Sequence, residues 1–165
     1  CGEDVELPEP TTRIARLLDR LLEQGIGGYH LVSSDFMYQI GNQNTYNSYA
    51  PYYKQIASRA SYVEFDIRLK PGATYSFQLT TTDGKGSFGT QYYNQNVLDA
   101  VAVCQDYSNS DILDPGWHAE NQAYTYTAGQ VNGLDVVGVR LTVKNGSNST
   151  VEDGYITSLV IERIS

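Results

Sequence analysis

Between Ser61 and Gly84 the chain reads S-Y-V-E-F-D-I-R-L-K-P-G-A-T-Y-S-F-Q-L-T-T-T-D-G, and no other stretch constrains the fold as much. Val63, Phe65, Ile67 and Leu69 alternate with Glu64, Asp66, Arg68 and Lys70. Beyond Pro71-Gly72, Tyr75, Phe77 and Leu79 alternate with Ser76, Gln78 and Thr80. A period of two sends successive side chains to opposite faces of a strand, so each half predicts a strand with one buried and one solvated face. Pro71-Gly72 suits the central positions of a type II turn, and the two halves are expected to pair as an antiparallel hairpin. Its apolar face then needs a second layer from the rest of the chain. Tyr62 and Tyr75 are expected to pack that core, with Glu64 and Asp66 both pointing to water.

A length of 165 residues corresponds to about one domain. The 14 Tyr and 15 Gly, with only 18% charged residues and many Asn, Gln, Ser and Thr, suit short strands joined by polar loops. A formal charge of -8, with no cluster of Lys or Arg, argues against a nucleic-acid partner and against an anionic membrane. No apolar run approaches the roughly 18 residues of a membrane span, so no transmembrane segment is expected. Cys1 and Cys104 form neither a disulfide framework nor a C-x-x-C metal or redox spacing. Cys104 lies in V-L-D-A-V-A-V-C, read as an apolar strand with a core thiol. Cys1 fits a fragment, a tagged chain or a processed end, one form of which is a lipidated bacterial lipoprotein.

Residues 1 to 10 are acidic, carry two prolines and read as an extended lead-in. A short helix follows: Thr11 or Thr12 can cap it, Ile14, Leu17, Leu18, Leu21 and Leu22 fall at helical spacing, and Gly25, Gly27 and Gly28 end it. A helix this short is marginal alone and must pack on something. Either it docks on its own β domain, or Ile14, Leu17 or Leu18, and Leu21 form the seam of a parallel bundle between chains.

The segment E-L-P-E-P-T-T-R-I-A-R-L-L-D-R-L-L-E-Q-G-I-G-G resembles the linker-helix segments of minor structural and tail-associated proteins from phages and prophages of Gram-positive bacteria. The matching residues are Leu7, Pro8, Glu9, Pro10, Arg13, Ile14, Leu17, Leu18, Leu21, Leu22 and the glycines at 25, 27 and 28. The resemblance implies a tail-fibre or baseplate appendage on the virion, a homotrimer whose C-terminal β domain touches the host surface.

From residue 29 the strand candidates are Y-H-L-V-S, F-M-Y-Q-I, Y-Y-K-Q-I-A-S, the Ser61–Gly84 pair, V-L-D-A-V-A-V-C, Q-A-Y-T-Y-T-A, L-D-V-V-G-V-R-L-T-V-K and Y-I-T-S-L-V-I-E-R-I. The last two are joined by N-G-S-N, read as a hairpin turn, and Q-D-Y-S-N-S-D-I-L-D-P-G-W-H-A-E-N is read as irregular. The expectation is a mostly β chain: a jelly-roll-like antiparallel β-sandwich over 29–165, preceded by residues 1–28 as lead-in and helix.

No catalytic signature is present, and the chain is expected not to be an enzyme. His30 and His118 lie in no nucleophile motif, and Glu64/Asp66 face no cleft of the kind a glycosidase requires. Asp106, Asp111 and Asp114 lack the spacing of a calcium loop, so no metal or other cofactor is expected. The aromatic loops are more informative. Tyr46, Tyr49, Tyr52 and Tyr53 share one Asn-rich stretch, Tyr92 and Tyr93 a second, and Tyr107, Trp117 and His118 a third. Sugar rings stack C–H faces on Tyr and Trp and bond their hydroxyls to Asn, Gln and Asp, so these loops are the expected ligand-binding rim for a cell-surface polysaccharide. The expected function is a non-catalytic, extracellular virion domain that binds host glycan. Two alternatives stay open: a structural virion protein whose Tyr-rich surface contacts other virion proteins, and a lipoprotein or adhesin tethered through Cys1.

Overall fold

A computed structural model describes residues 27–32, 54–56, 62–103, 105–146 and 156–165. In chain order these form β1 (Gly27–Val32), β2 (Lys54–Ile56), β3 (Tyr62–Arg68), β4 (Thr74–Thr81), β5 (Gly86–Asn94), helix α1 (Gln95–Ala102), a 3-10 turn (Asn109–Asp111), β6 (Ile112–Ala119), β7 (Tyr124–Thr127), β8 (Gln130–Val131), β9 (Leu134–Asn145) and β10 (Ile156–Arg163). The described chain is mostly β, as expected. Its strands form two antiparallel sheets, one in the order β1-β10-β4-β7 and the other β2-β3-β9-β5-β6, with β8 added against β9. The predicted helix and its seam residues Ile14, Leu17, Leu18 and Leu21 lie outside the described residues.

The expected hairpin is corrected. Lys70-Pro71-Gly72-Ala73 does form the predicted turn, with Ala73 N donating to Lys70 O at 3.1 Å and Gly72 at φ +83°. Yet β3 pairs with β2 and β9, while β4 pairs with β10 and β7. The turn carries the chain from one sheet to the other, so the two apolar faces meet across the core instead of lying side by side. Each half of the stretch thereby supplies the second layer the other needs. The same holds for the last two strands, which belong to different sheets, so they form no hairpin either.

The core between the sheets is built from inward residues of both. Tyr75, Phe77 and Leu79 of β4 and Leu159 and Ile161 of β10 meet Ile67 of β3, Phe88 and Tyr92 of β5, and Val139, Leu141 and Val143 of β9. Tyr75 is fully buried, and its hydroxyl accepts the Lys70 N–H at 2.9 Å, which satisfies its one polar atom. Phe77 and Phe88 bridge the sheets with ring centroids 6.4 Å apart. At the β6/β7 edge two further pairs span the gap: Tyr92 stacks on Tyr126 at 3.6 Å, and His118 on Tyr124 at 3.7 Å. At one end of the sheets Glu120 accepts from the Thr81 N–H and, at 2.8 Å, from its hydroxyl, tying the 82–85 turn to the end of β6.

Two local readings change. V-L-D-A-V-A-V is not a strand; its residues lie in or just beyond α1, where Asn94 caps the Asn96 N–H at 2.9 Å and Val97 and Val101, four apart, bury against Tyr93. D-P-G-W-H is not irregular; it lies in β6, an edge strand, where Pro115 sacrifices no ladder bond to a further strand. Between β8 and β9, Asn132 (φ 53°) and Gly133 (φ 78°) make a two-residue turn with both central residues left-handed, as a type I′ hairpin requires.

Gly138 of β9 lies beneath the Tyr93 ring. A methyl group there would sit 2.6 Å from the Tyr93 hydroxyl oxygen, and closer still to ring carbons. Gly138→Ala is therefore expected to destabilise the fold by about 1–3 kcal/mol through overpacking, read as a lowered urea midpoint.

Candidate functional site

Neighbours in a strand face opposite ways, and this sorts the aromatic residues singled out from the sequence. Tyr92 and Tyr93 are not loop residues. Both lie in β5, Tyr92 directed into the inter-sheet core and fully buried, Tyr93 on the outer face but covered by α1 at 2% exposure. Burial raises the pKa of both phenols, for Tyr93 with help from the nearby Asp66 carboxylate. Neither contributes to a binding rim. His118 and Trp117 are likewise split. His118 turns inward onto Tyr124 and Phe88, with Nε2 3.1 Å from the Thr90 hydroxyl, while Trp117 turns outward. Tyr46, Tyr49 and Tyr52 lie outside the described residues.

What remains is the outer face of the β2-β3-β9-β5-β6 sheet. Trp117, Gly89 and Thr142 are in register across β6, β5 and β9. The indole lies flat on Gly89: a methyl added there would meet Cε2, Cδ2 and Cζ2 at 3.2 to 3.4 Å. Three ring atoms at nearly equal distance place the ring plane against the strand, and the side chain remains partly exposed. On one side stands Lys144, its Nζ 5.8 Å from the indole centroid. Lys144 is 7% exposed, and burial holds its ammonium below the usual lysine range.

On the other side Arg140 and Gln91 share a register position, roughly 7 Å along the strands from the Trp117 row. Gln91 Nε2 donates to Asp114 at 3.3 Å, and the Gly116 N–H donates to the same carboxylate at 3.0 Å. Arg140, 5% exposed, lies 3.4 Å through Nε from Asp66 and donates through Nη1 to the Tyr107 hydroxyl at 3.2 Å. Asp66 was expected to point to water. It is instead buried at 7% exposure, because the register of β3 and β9 sets it opposite Arg140. Tyr107 also packs against the Tyr93, Val97 and Val101 cluster. The outer face of the sheet thus carries Trp117 in one row with Gly89 and Thr142, and in the next row Gln91 and Arg140, the latter holding the Tyr107 hydroxyl.

Gly89 and Lys144 were missed. A glycine inside a strand marks a close approach, so Gly89 in S-F-G-T-Q carried a usable signal. Lys144 carried none, since only the register of β9 with β5 and β6 sets it beside Trp117.

A second polar cluster lies at the start of α1. Asn94 and Asn132 each donate to Asp111 Oδ1 at 2.8 Å, and Asn96 donates at 3.3 Å. These bonds hold the Asp111 carboxyl below the usual carboxylate range, with Asn132 the largest cause. The orientation of Asn94 follows from its cap, because its Oδ1 already accepts the Asn96 N–H. The cluster ties α1 to the β8–β9 turn, and its amide donors are arranged for an anion, the reverse of a calcium loop. Among the described residues no group of three or more His, Cys, Asp and Glu converges to hold a metal, and no helix is long and apolar enough to cross a membrane.

No protein-family model matches the chain, and no curated protein sequence matches it significantly.

Burial on Tyr124 also holds the His118 imidazole below its ordinary pKa of 6.5. A lowered folded-state pKa favours the neutral form, so the stability it contributes is present above that ordinary value and lost as the pH falls through the folded value. Urea unfolding followed from about pH 7.5 to about pH 5 should show this loss, and His118→Gln should flatten that part of the slope.

Proposed function

We propose that this chain is a non-catalytic glycan-binding domain of jelly-roll type, and that it serves as a tail or fibre appendage of a phage virion. The observation that carries the binding reading is the Trp117 platform: a partly exposed indole laid flat on a glycine, flanked by amide, carboxylate, hydroxyl and cationic groups. A sugar needs this pairing of an apolar plane with polar groups at its rim. The platform stands on strands rather than loops, so its geometry is held by the ladder hydrogen bonds of β5, β6 and β9.

Support for the jelly-roll reading is the strand order. Setting aside the short β2 and β8, the strands divide into β1-β10-β4-β7 and β3-β9-β5-β6, and the chain crosses between sheets at every step except β5 to β6. The virion assignment rests on the L-P-E-P-helix-glycine resemblance of residues 6–28. Three copies would join weak sites into one avid surface.

Calorimetric titration with a panel of wall polysaccharides tests the reading. The chain should bind at least one saturably, and Trp117→Ala, whose ring lies outside the inter-sheet core, should weaken that binding by about tenfold or more at unchanged thermal stability. A chain that binds none of them but assembles tightly onto another virion protein would favour the structural alternative. Light scattering of the whole chain should give the mass of a trimer.

A further inference from the structure

One end of the space between the sheets is lined by polar groups instead of apolar ones. Two residues beyond the core residues Leu79 and Val143, Thr81 and Asn145 point inward as well. Asn145 is in register with Gly86, where an added methyl would run into the Thr81 side chain, and the Glu120 N–H donates to the Gly86 carbonyl at 3.0 Å. Glu120 is 4% exposed, and its carboxylate accepts from the Thr81 N–H and hydroxyl, while no Lys, Arg or His among the described residues bonds it. The same Thr81 hydroxyl lies 3.3 Å from Asp83 Oδ1, yet it has one proton and cannot donate to two carboxylates at once. Asp83 takes the Lys85 N–H and the Asn145 amide, each at 3.1 Å, and it too lacks a bonded cation among the described residues. Asn145 is 3% exposed, and its Oδ1 is buried with no donor.

We propose that Asp83, Glu120 and the Asn145 amide oxygen are ligands of a calcium ion at this end of the sandwich. A carboxylate taken out of water without a cationic partner is costly unless a metal pairs it, and a buried amide oxygen without a donor is costly for the same reason. Glu120, the Asp83 oxygen left over at Thr81 and Asn145 Oδ1 all lack positive charge, and one cation supplies it to the three. The donors are all oxygen, which suits a hard cation. They come from three separate elements, and calcium accepts such irregular sets and fills its shell with water, whereas magnesium demands a near-ideal octahedron. A half-turn of the Asn145 amide presents Oδ1 where Nδ2 now meets Asp83, and Asp83, on an exposed turn, has room to follow. The ion would tie the 82–85 turn to the ends of β6 and β9. Neither Asp106, Asp111 nor Asp114 takes part, and the site does not depend on the glycan-binding reading.

The test follows thermal unfolding of the whole chain after treatment with a chelator. Calcium chloride at about 5 mM should raise the midpoint by about 2 °C or more, and calorimetric titration should find a dissociation constant of about 10⁻⁴ to 10⁻³ M. Magnesium at the same concentration, and sodium chloride at matched ionic strength, should each give less than about half that rise. Asp83→Asn should weaken calcium binding by about tenfold or more. Glu120→Gln keeps an acceptor for the Thr81 donors but removes the charge, so it should abolish the calcium response.

A midpoint that calcium does not move overturns the proposal, as does an equal rise with magnesium or with sodium chloride, which would mark general screening of the chain's net negative charge. A calcium response that survives both variants belongs to other carboxylates and overturns it as well. Should Glu120→Gln not fold, Asp83→Asn decides alone, and calcium affinity unchanged in that variant overturns the proposal.

Discussion

The packing of the two inward sheet faces against each other is the interaction on which the rest of the protein depends. Phe77 against Phe88, Leu79 and Leu159 on one side, and Leu141 and Val143 on the other, remove from water the surfaces that neither sheet could bury alone. The same contact decides connectivity. A chain with two apolar faces to hide can place consecutive strands side by side or across the core, and here the turn at Pro71-Gly72 and the step from β9 to β10 take the second course. At the β6/β7 edge, where ladder pairing stops, the Tyr92–Tyr126 and His118–Tyr124 stacks continue the closure. Alternating Tyr-Thr-Tyr-Thr in β7 serves this purpose, with both tyrosines directed inward.

With the inner faces spent on the core, chemistry falls to the outer ones. The outer face of the β2-β3-β9-β5-β6 sheet is not a washed surface. Tyr93 lies over Gly138, Trp117 over Gly89, and the Asp66–Arg140 pair and Lys144 are each largely withdrawn from water. Two glycines, one in β5 and one in β9, lower the floor so that a ring can lie on each. One of these rings, Tyr93, is sealed by α1 and anchors the helix. The other, Trp117, stays partly open on the edge strand. The same device thus serves structure at one position and a candidate binding platform at the other, and the difference is whether a further element covers the ring.

Much of the architecture was legible in single residues. The alternation in β3, β4, β7, β9 and β10 announced strands, Pro71-Gly72 announced its turn type, and Tyr75 was rightly assigned to the core. Other signals were present and misread. Asn94 with Val97 and Val101 four apart is a capped helix turn, but β-branched residues there suggested a strand, and packing against Tyr93 overrode that propensity. Pro115 and Gly116 suggested a loop because an interior strand would reject them, whereas an edge strand does not. The pairs Tyr92-Tyr93 and Trp117-His118 were grouped because they are adjacent, and in a strand adjacency separates side chains.

What the sequence by itself determined is therefore local: which stretches extend, which face of each is apolar, and where the chain turns. Those properties depend on neighbours within a few residues, so they can be read from the chain directly. Which strands pair, in what register, and what covers each outer face were decided only by the tertiary structure. Lys144 reaches Trp117, and Asp66 reaches Arg140, through strand partners far apart in sequence. Such contacts are set by how the two sheets share one core, a property of the whole chain that no local pattern of residues contains.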